Sequence, residues 1–377
     1  MGREDNDTLV GNAGNDTLNG GGGFGVDVIS GGLGTDTWVA NLAAYPGVTV
    51  SIATDAGAVS TGHAVTGIEQ LNLVMGDGAD MVTARALAFN DVVTLGGGRD
   101  TFTSGRGIDR ADAGTGDDLL VMNWTAERDA ILWADEGYGW TSYRTASGTA
   151  RLDQYGFDRF DLRGGTQGDD QRGGGGTEAL RGNAGNDTLR SGAGDALVDG
   201  GVGSDLWTAD LSGKGTNVAV SLAASQTTAQ GAVAGLNIRN IEQFAVSTGL
   251  GNDTLDAGGF ALSDSVALGS GDDRFVSGLG HDTVDGGAQG PLGDLLVVDY
   301  ASLAGRVSNY DVGYGWWQVG ASDNAASVRY IGIERFALTG GSGQDSLTGG
   351  DRADTLAGNG GNDVLNGAGG NDVISGG

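Results

Sequence analysis

The sequence contains no cysteine, two prolines, two histidines (His63 and His281) and one lysine, Lys214. A disulfide scaffold is therefore impossible, although missing cysteine does not by itself fix the compartment. Proline is too scarce, and glycine too irregularly spaced, for a collagen helix. Positive charge is short as well: 20 cationic side chains face 49 acidic ones, a net charge of −29. Such a chain repels nucleic-acid phosphate instead of neutralising it, so no nucleic-acid partner is expected. Apolar runs are too brief for a membrane-spanning helix, which needs about 20 consecutive apolar residues. HExxH and GxSxG are absent, and Lys214 lies in SGKGTN, which lacks the spacing of a phosphate-binding loop. These absences predict a protein that is not an enzyme.

Two residue types dominate what is there. Glycine supplies 76 of the 377 residues, against a usual share of roughly 7%. Only seven acidic residues are glutamate, so 49 minus seven leaves 42 aspartates. Solubility alone gives no reason for that preference. A short carboxylate stays close to a tight turn, and glycine supplies the positive φ angles such turns require. Glycine and net charge also favour disorder, yet 38% of residues are hydrophobic and their arrangement is periodic.

The period is nine residues. GGSGQDSLT (340–348), GGDRADTLA (349–357), GNGGNDVLN (358–366) and GAGGNDVIS (367–375) run in phase. Each begins with glycine, places aspartate sixth and an aliphatic residue eighth. GREDNDTLV (2–10) and GNAGNDTLN (11–19) do the same, and GGGGFGVDVIS (20–30) has two extra residues before GGLGTDTWV (31–39). Further copies lie within 95–121, 164–208 and 268–297.

These units resemble the GGxGxDxUx nonapeptide of RTX, or haemolysin-type calcium-binding, proteins. The resemblance covers a little under half of the chain. It implies an all-β fold, an elongated right-handed parallel β-roll or β-solenoid in which six residues turn around calcium and three form a strand. Two nonapeptides make one coil. Asp345 is then expected over Asp363, Asp354 over Asp372, Asp169 and Asp187 over Asp205, and Asp100 over Asp118. Carried over residue by residue, the implied metal ligands are Asp7, Asp16, Asp27, Asp36, Asp80, Asp100, Asp109, Asp118, Asp169, Asp187, Asp205, Asp253, Asp273, Asp282, Asp294, Asp345, Asp354, Asp363 and Asp372. Three copies depart from the pattern and weaken the carry-over there. Glu178 replaces one aspartate, Ala196 stands sixth after Asp195, and Gln171 takes an aliphatic position.

Electrostatics supports the calcium reading independently. Neighbouring strands lie about 4.7–4.9 Å apart. Two like charges at about 4 Å repel by roughly 1 kcal/mol in water and about 4 kcal/mol at an effective dielectric of about 20. A dozen stacked pairs would rival the roughly 5–15 kcal/mol that keeps a domain folded. Several Ca²⁺ ions meet the need, since calcium accepts six to eight oxygens, backbone carbonyls included. Magnesium demands a stricter octahedron, and zinc prefers nitrogen and sulfur ligands that the repeats lack. Calcium binding and folding are expected to be one event.

A longer repeat lies above the nonapeptide. NAGNDTL (12–18) returns at 183–189, DLLVMNW (118–124) as DLLVVDY (294–300), and EGYGW (136–140) as VGYGW (312–316). The expected division is 1–163, 164–339 and the start of a third copy at 340–377. GVTVSIATDAG (47–57) and TNVAVSLAAS (216–225) alternate in the manner of strands. An acidic phrase recurs as GIEQ (67–70), GFDR (156–159), NIEQ (240–243) and GIER (332–335). These connecting stretches are read as wider coils of the same solenoid, with globular inserts as the alternative. Helix is not expected, because glycine interrupts each candidate window.

Extracellular calcium modules work at about 10⁻⁴–10⁻³ M, so the chain is expected to fold outside the cell. The reading is a secreted, calcium-binding structural protein of the bacterial cell surface or extracellular matrix. The resemblance implies type I secretion; MGREDNDTLV has no signal-peptide pattern. The alternative is the calcium-dependent folding region of a larger secreted enzyme (protease, lipase or alginate epimerase) or adhesin. Both termini fall inside nonapeptide runs without a polar cap, which leaves excision from a longer chain and end-to-end self-association as equal readings. Trp133, Tyr138, Trp140 and Tyr143, echoed by Tyr310, Tyr314, Trp316 and Trp317, are expected to gather into aromatic clusters. Packing is the first reading of those clusters, and a platform for polysaccharide the second.

Overall fold

The computed structural model describes residues 5–52, 56–84, 88–194, 196–222, 236–258 and 260–377; Asp195 and residues 223–225 lie outside them. Every regular element among the described residues is a β-strand. Contacts divide the chain into two compact units, Met1–Asp187 and Thr188–Gly377.

In the first unit, successive short strands alternate between two sheets. Thr101–Ser104 belongs to one sheet, Ile108–Asp112 to the other, and Leu119–Asn123 returns to the first. Two nonapeptides thus complete a coil, and the register shows it: Thr101 pairs with Leu119 in parallel. Each strand sends its second residue inward, because alternate side chains leave a strand on opposite faces. Val50, Val82, Phe102, Leu120 and Phe160 make one such column, and all five are buried. Burying a side chain of that size contributes about 1.5–3 kcal/mol. A three-residue strand has room for one inward residue, so the single aliphatic position of each nonapeptide is the core.

The second unit follows the same plan. Val220, Leu255, Phe275, Leu296 and Phe336 make its corresponding buried column, and Leu347 and Leu356 continue the nonapeptide core further along the chain. Ser346–Thr348 pairs in parallel with Val364–Asn366, and Thr355–Ala357 with Val373–Ser375, again eighteen residues on.

The connecting stretches are not simply wider coils. Ile131–Gly137, Trp140–Thr145 and Arg151–Tyr155 form an antiparallel meander whose last strand joins Ile108–Asp112 in parallel. Val307–Gly313, Trp316–Ala321 and Ser327–Ile331 repeat it in the second unit. Thr49–Ser51 likewise runs antiparallel to Ala56–Val59. Two-residue turns drive the reversals. Tyr138 and Gly139 have φ of 54° and 84°, and Tyr314 and Gly315 have 57° and 82°, the doubly positive combination of a type I′ hairpin.

The same meanders separate the aromatic side chains. Trp133 and Tyr143 are cross-strand partners on one face, with Arg172 over the Trp133 ring at 4.7 Å. Trp140 lies on the other face, against Tyr155 at 5.4 Å and beneath Arg110 at 4.1 Å. Tyr138 and Tyr314 stand fully exposed at the turn tips. The aromatic clusters expected from sequence do not form, because strand alternation sends neighbouring residues to opposite faces.

Candidate metal centre

Each nonapeptide positions its aspartate at the end of a glycine turn, immediately before the strand. There the backbone N–H of one aspartate donates to Oδ1 of the aspartate one coil later. Asp80 donates to Asp100 at 2.8 Å, Asp100 to Asp118 at 2.7 Å, and Asp169 to Asp187 at 2.7 Å. In the second unit, Asp253 donates to Asp273, Asp273 to Asp294, Asp345 to Asp363 and Asp354 to Asp372, at 2.7–3.1 Å. Near the start, Asp7 and Asp16 donate to Asp27 and Asp36.

The first glycine of each unit makes room for the other oxygen. A Cβ added at Gly340 would lie 2.1 Å from Oδ2 of Asp345, and at Gly367 2.2 Å from Oδ2 of Asp372. No real Cβ is tolerated so close to a carboxylate oxygen, which is why glycine opens the repeat. In three turns this oxygen accepts a backbone N–H: Gly165 to Asp169, Gly341 to Asp345 and Gly350 to Asp354. Oδ2 is buried and bare in Asp7, Asp16, Asp36, Asp80, Asp100, Asp118, Asp253, Asp273, Asp294 and Asp363.

Two further aspartates belong to the same rows and fall outside the recognised nonapeptides. Asp91 donates to Asp109 and accepts from Leu71; Asp264 donates to Asp282 and accepts from Phe244. Both are buried with a bare Oδ2. Each stands two residues ahead of a buried valine, in NDVVT and SDSVA, as in the nonapeptides. Asp109 and Asp282 differ in another way, since Ser104 and Ser277 donate hydroxyl hydrogen bonds to their Oδ2.

The recurring acidic phrase now has a physical role. Asp36 N–H donates to Glu69, Asp205 to Glu242, Asp294 to Glu334 and Asp118 to Asp158. At each place two consecutive backbone N–H groups converge on one aspartate carbonyl: Glu69 and Gln70 on Asp36, Asp158 and Arg159 on Asp118, Glu242 and Gln243 on Asp205, Glu334 and Arg335 on Asp294. That is a β-bulge, with two residues facing one. The extra residue moves the carboxylate back, and the longer glutamate side chain restores its reach in three of the four.

Burial of so many carboxylates raises their proton affinity. Asp91 and Asp264 are pushed up to about 8, first by burial and then by the neighbouring Asp109 or Asp282 charge, against an opposing backbone hydrogen bond. Asp273 reaches about 7, and Asp100, Asp109, Asp169 and Asp294 about 6, with burial again the leading cause. A carboxylate whose second oxygen is buried without a donor calls for a cation or a proton.

The donor chemistry fits calcium. The aspartate turns offer oxygen, from one carboxylate per coil and the backbone carbonyls that glycine leaves uncovered. Among the described residues no three acidic or histidine side chains converge on one point, so carbonyls must complete any coordination shell. Calcium accepts such a mixed set, and zinc does not favour it. The departures fit less well. Glu178 is buried against Gly173, and Gln171 is buried in an aliphatic position with Oε1 unpartnered.

A family model, the RTX calcium-binding nonapeptide repeat (4 copies), matches residues 1–37, 76–111, 172–206, 258–290 and 338–377. No curated protein matches the chain. No helix among the described residues is long and apolar enough to cross a membrane. Five segments of the chain, built on the stacked aspartates and close-packed glycines described above, thus carry RTX calcium-binding nonapeptide repeats.

Proposed function

We propose that the chain is a secreted structural segment of the bacterial surface or matrix that calcium converts from an open polypeptide into stacked coils, without a catalytic role. The row of buried, unpartnered Oδ2 atoms supports this reading most directly. Each is a defect in the absence of metal and a ligand in its presence, so ion binding and coil closure are coupled. Extracellular calcium supplies the ion at the concentrations such modules use, about 10⁻⁴–10⁻³ M. The implied ligands are the aspartates named from sequence, with Asp91 and Asp264 added. The edge strands Thr8–Ala13 and Val373–Ser375 present unpaired backbone groups that a further coil would satisfy, whether from a longer polypeptide or a second copy. Circular dichroism during calcium titration tests the reading. Chelator should abolish most β signal, and calcium should restore it where equimolar magnesium does not; a spectrum indifferent to chelator would overturn it.

A second reading, contact with polysaccharide, has one observation in its favour. Half-exposed Trp317 opens onto a cavity of about 470 Å³ whose rim includes Gln289, Asn309, Asp351 and Arg352. An aromatic wall with a polar rim suits a sugar ring. Glycan-array binding that disappears with Trp317→Ala would support it, and binding unchanged by that variant would remove it.

A further inference from the structure

The aspartate row in the first unit is interrupted once by a nitrogen ligand. Ala64 pairs with Val28 in parallel, and its N–H donates to the carbonyl of Asp27. The residue before Ala64 therefore occupies the place that the next aspartate fills in other coils. That residue is His63, buried with only 6% exposure. Its Nε2 lies 3.7 Å from Oδ2 of Asp27, while Nδ1 is 2.5 Å from the hydroxyl of Thr61.

Neither neutral tautomer gives Nε2 a hydrogen bond to Asp27 at this spacing. An N–H···O hydrogen bond spans about 2.7–3.2 Å, so a proton on Nε2 leaves the Asp27 contact too long. A proton on Nδ1, donated to Thr61, turns the Nε2 lone pair toward a carboxylate lone pair. Two ligands of one tetrahedral ion, each about 2.0–2.2 Å from it, lie about 3.4 Å apart, close to the spacing seen. The Thr61 contact is the outer support that fixes a ligating imidazole in most such centres. The surroundings favour a single compact ion. Gly20–Gly25, the turn lengthened by two residues, closes a small cavity with Asp5, Asp27, Asn41 and His63, and Trp38 and Tyr45 pack on the imidazole at 5.9 and 6.1 Å.

We propose that Asp27 and His63 form a mixed oxygen–nitrogen site that takes a zinc-type divalent cation, a separate metal class from the calcium of the other turns. Imidazole is a poor ligand for calcium and a good one for zinc or cobalt. Turn carbonyls or water complete the shell. His281, the only other histidine, has its Nδ1 3.0 Å from the Ser327 hydroxyl, which makes it the internal control.

The test uses the full chain saturated with calcium and titrated with Co²⁺ as an optical stand-in for zinc. One equivalent should bind with a visible ligand-field spectrum, yield to Zn²⁺ and resist millimolar calcium. His63→Ala should abolish it, His281→Ala should leave it unchanged, and Thr61→Val should weaken it about 10–100-fold. Nitrogen-detected NMR of the unmutated chain should show zinc shifting Nε2 of His63 with its proton on Nδ1, a readout independent of whether any variant folds. No stoichiometric Co²⁺ uptake, uptake retained in His63→Ala, or displacement by calcium would each overturn the proposal.

Discussion

Oδ1 of Asp118 accepts the backbone N–H of Asp100 at 2.7 Å, while Oδ2 of the same carboxylate is buried without a partner. One side chain therefore does two separable jobs. Asp118→Asn keeps an acceptor for Asp100 but loses the charge, and Asp118→Ala loses both. Calorimetric calcium titration should show both variants losing affinity. Thermal melts in saturating calcium should show the alanine variant less stable than the asparagine variant, by about 1–3 kcal/mol for an abandoned buried donor. Equal destabilisation of the two would mean that the backbone contact is unimportant.

Calcium-free protein should become less stable as pH rises. Asp91 and Asp264 hold protons in the folded state up to about pH 8, whereas an unfolded aspartate releases its proton near about 3.9. A raised folded value means that the stabilisation is fully present below about pH 4 and is lost by about pH 8. The residual β signal in chelator should fall from pH 5 to pH 8. Saturating calcium, which replaces those protons, should hold the signal across this range; a calcium-free β signal that climbs with pH would contradict the assignment.

Glycine at the head of the nonapeptide should resist substitution for a steric reason. A Cβ at Gly340 would meet Oδ2 of Asp345 at 2.1 Å and at Gly358 Oδ2 of Asp363 at 2.4 Å, whereas Gly213 faces open space. Gly340→Ala and Gly358→Ala should raise the calcium needed for folding and cost about 1–3 kcal/mol. Gly213→Ala should be close to neutral. Equal tolerance at all three would refute the packing argument.

The meander turns store strain that does not serve calcium. Tyr138 and Tyr314 adopt positive φ at full exposure, where asparagine and glycine are far more at ease. Tyr138→Asn and Tyr314→Asn should each raise stability by about 1 kcal/mol with the calcium midpoint for binding unchanged. A fall in melting temperature would show that these rings make contacts beyond their own turn.

The nonapeptide turns were legible because their chemistry is local: glycine, aspartate and one aliphatic residue at fixed spacing define a turn, an acceptor and a core position. Asp345 over Asp363 could be read from the eighteen-residue coil alone. Asp91 and Asp264 were harder to read, because no glycine precedes Asp91 closely and the Gly258–Gly259 pair stands one residue further from Asp264 than the repeat prescribes. The glutamates of GIEQ, NIEQ and GIER were visible as a recurring phrase, but their use required the bulge, which depends on the strand alongside. The meanders at 131–155 and 307–331 escaped for a related reason. Their alternation marks strands without saying whether a strand continues in parallel or folds back, and the deciding residues are two tyrosine–glycine pairs that turn rules would not select.

Because one coil after another lends its amide to the carboxylate of its successor, the two ends of a cut within these rows are not equivalent. Trimming residues from the front removes donors and leaves the remaining acceptors free for metal. Trimming from the back, for example between Asn366 and Gly367, deprives Asp354 of the Asp372 oxygen it relies on and exposes an unanswered N–H. The roll is thus directional, and each winding is finished only by the one that comes after it.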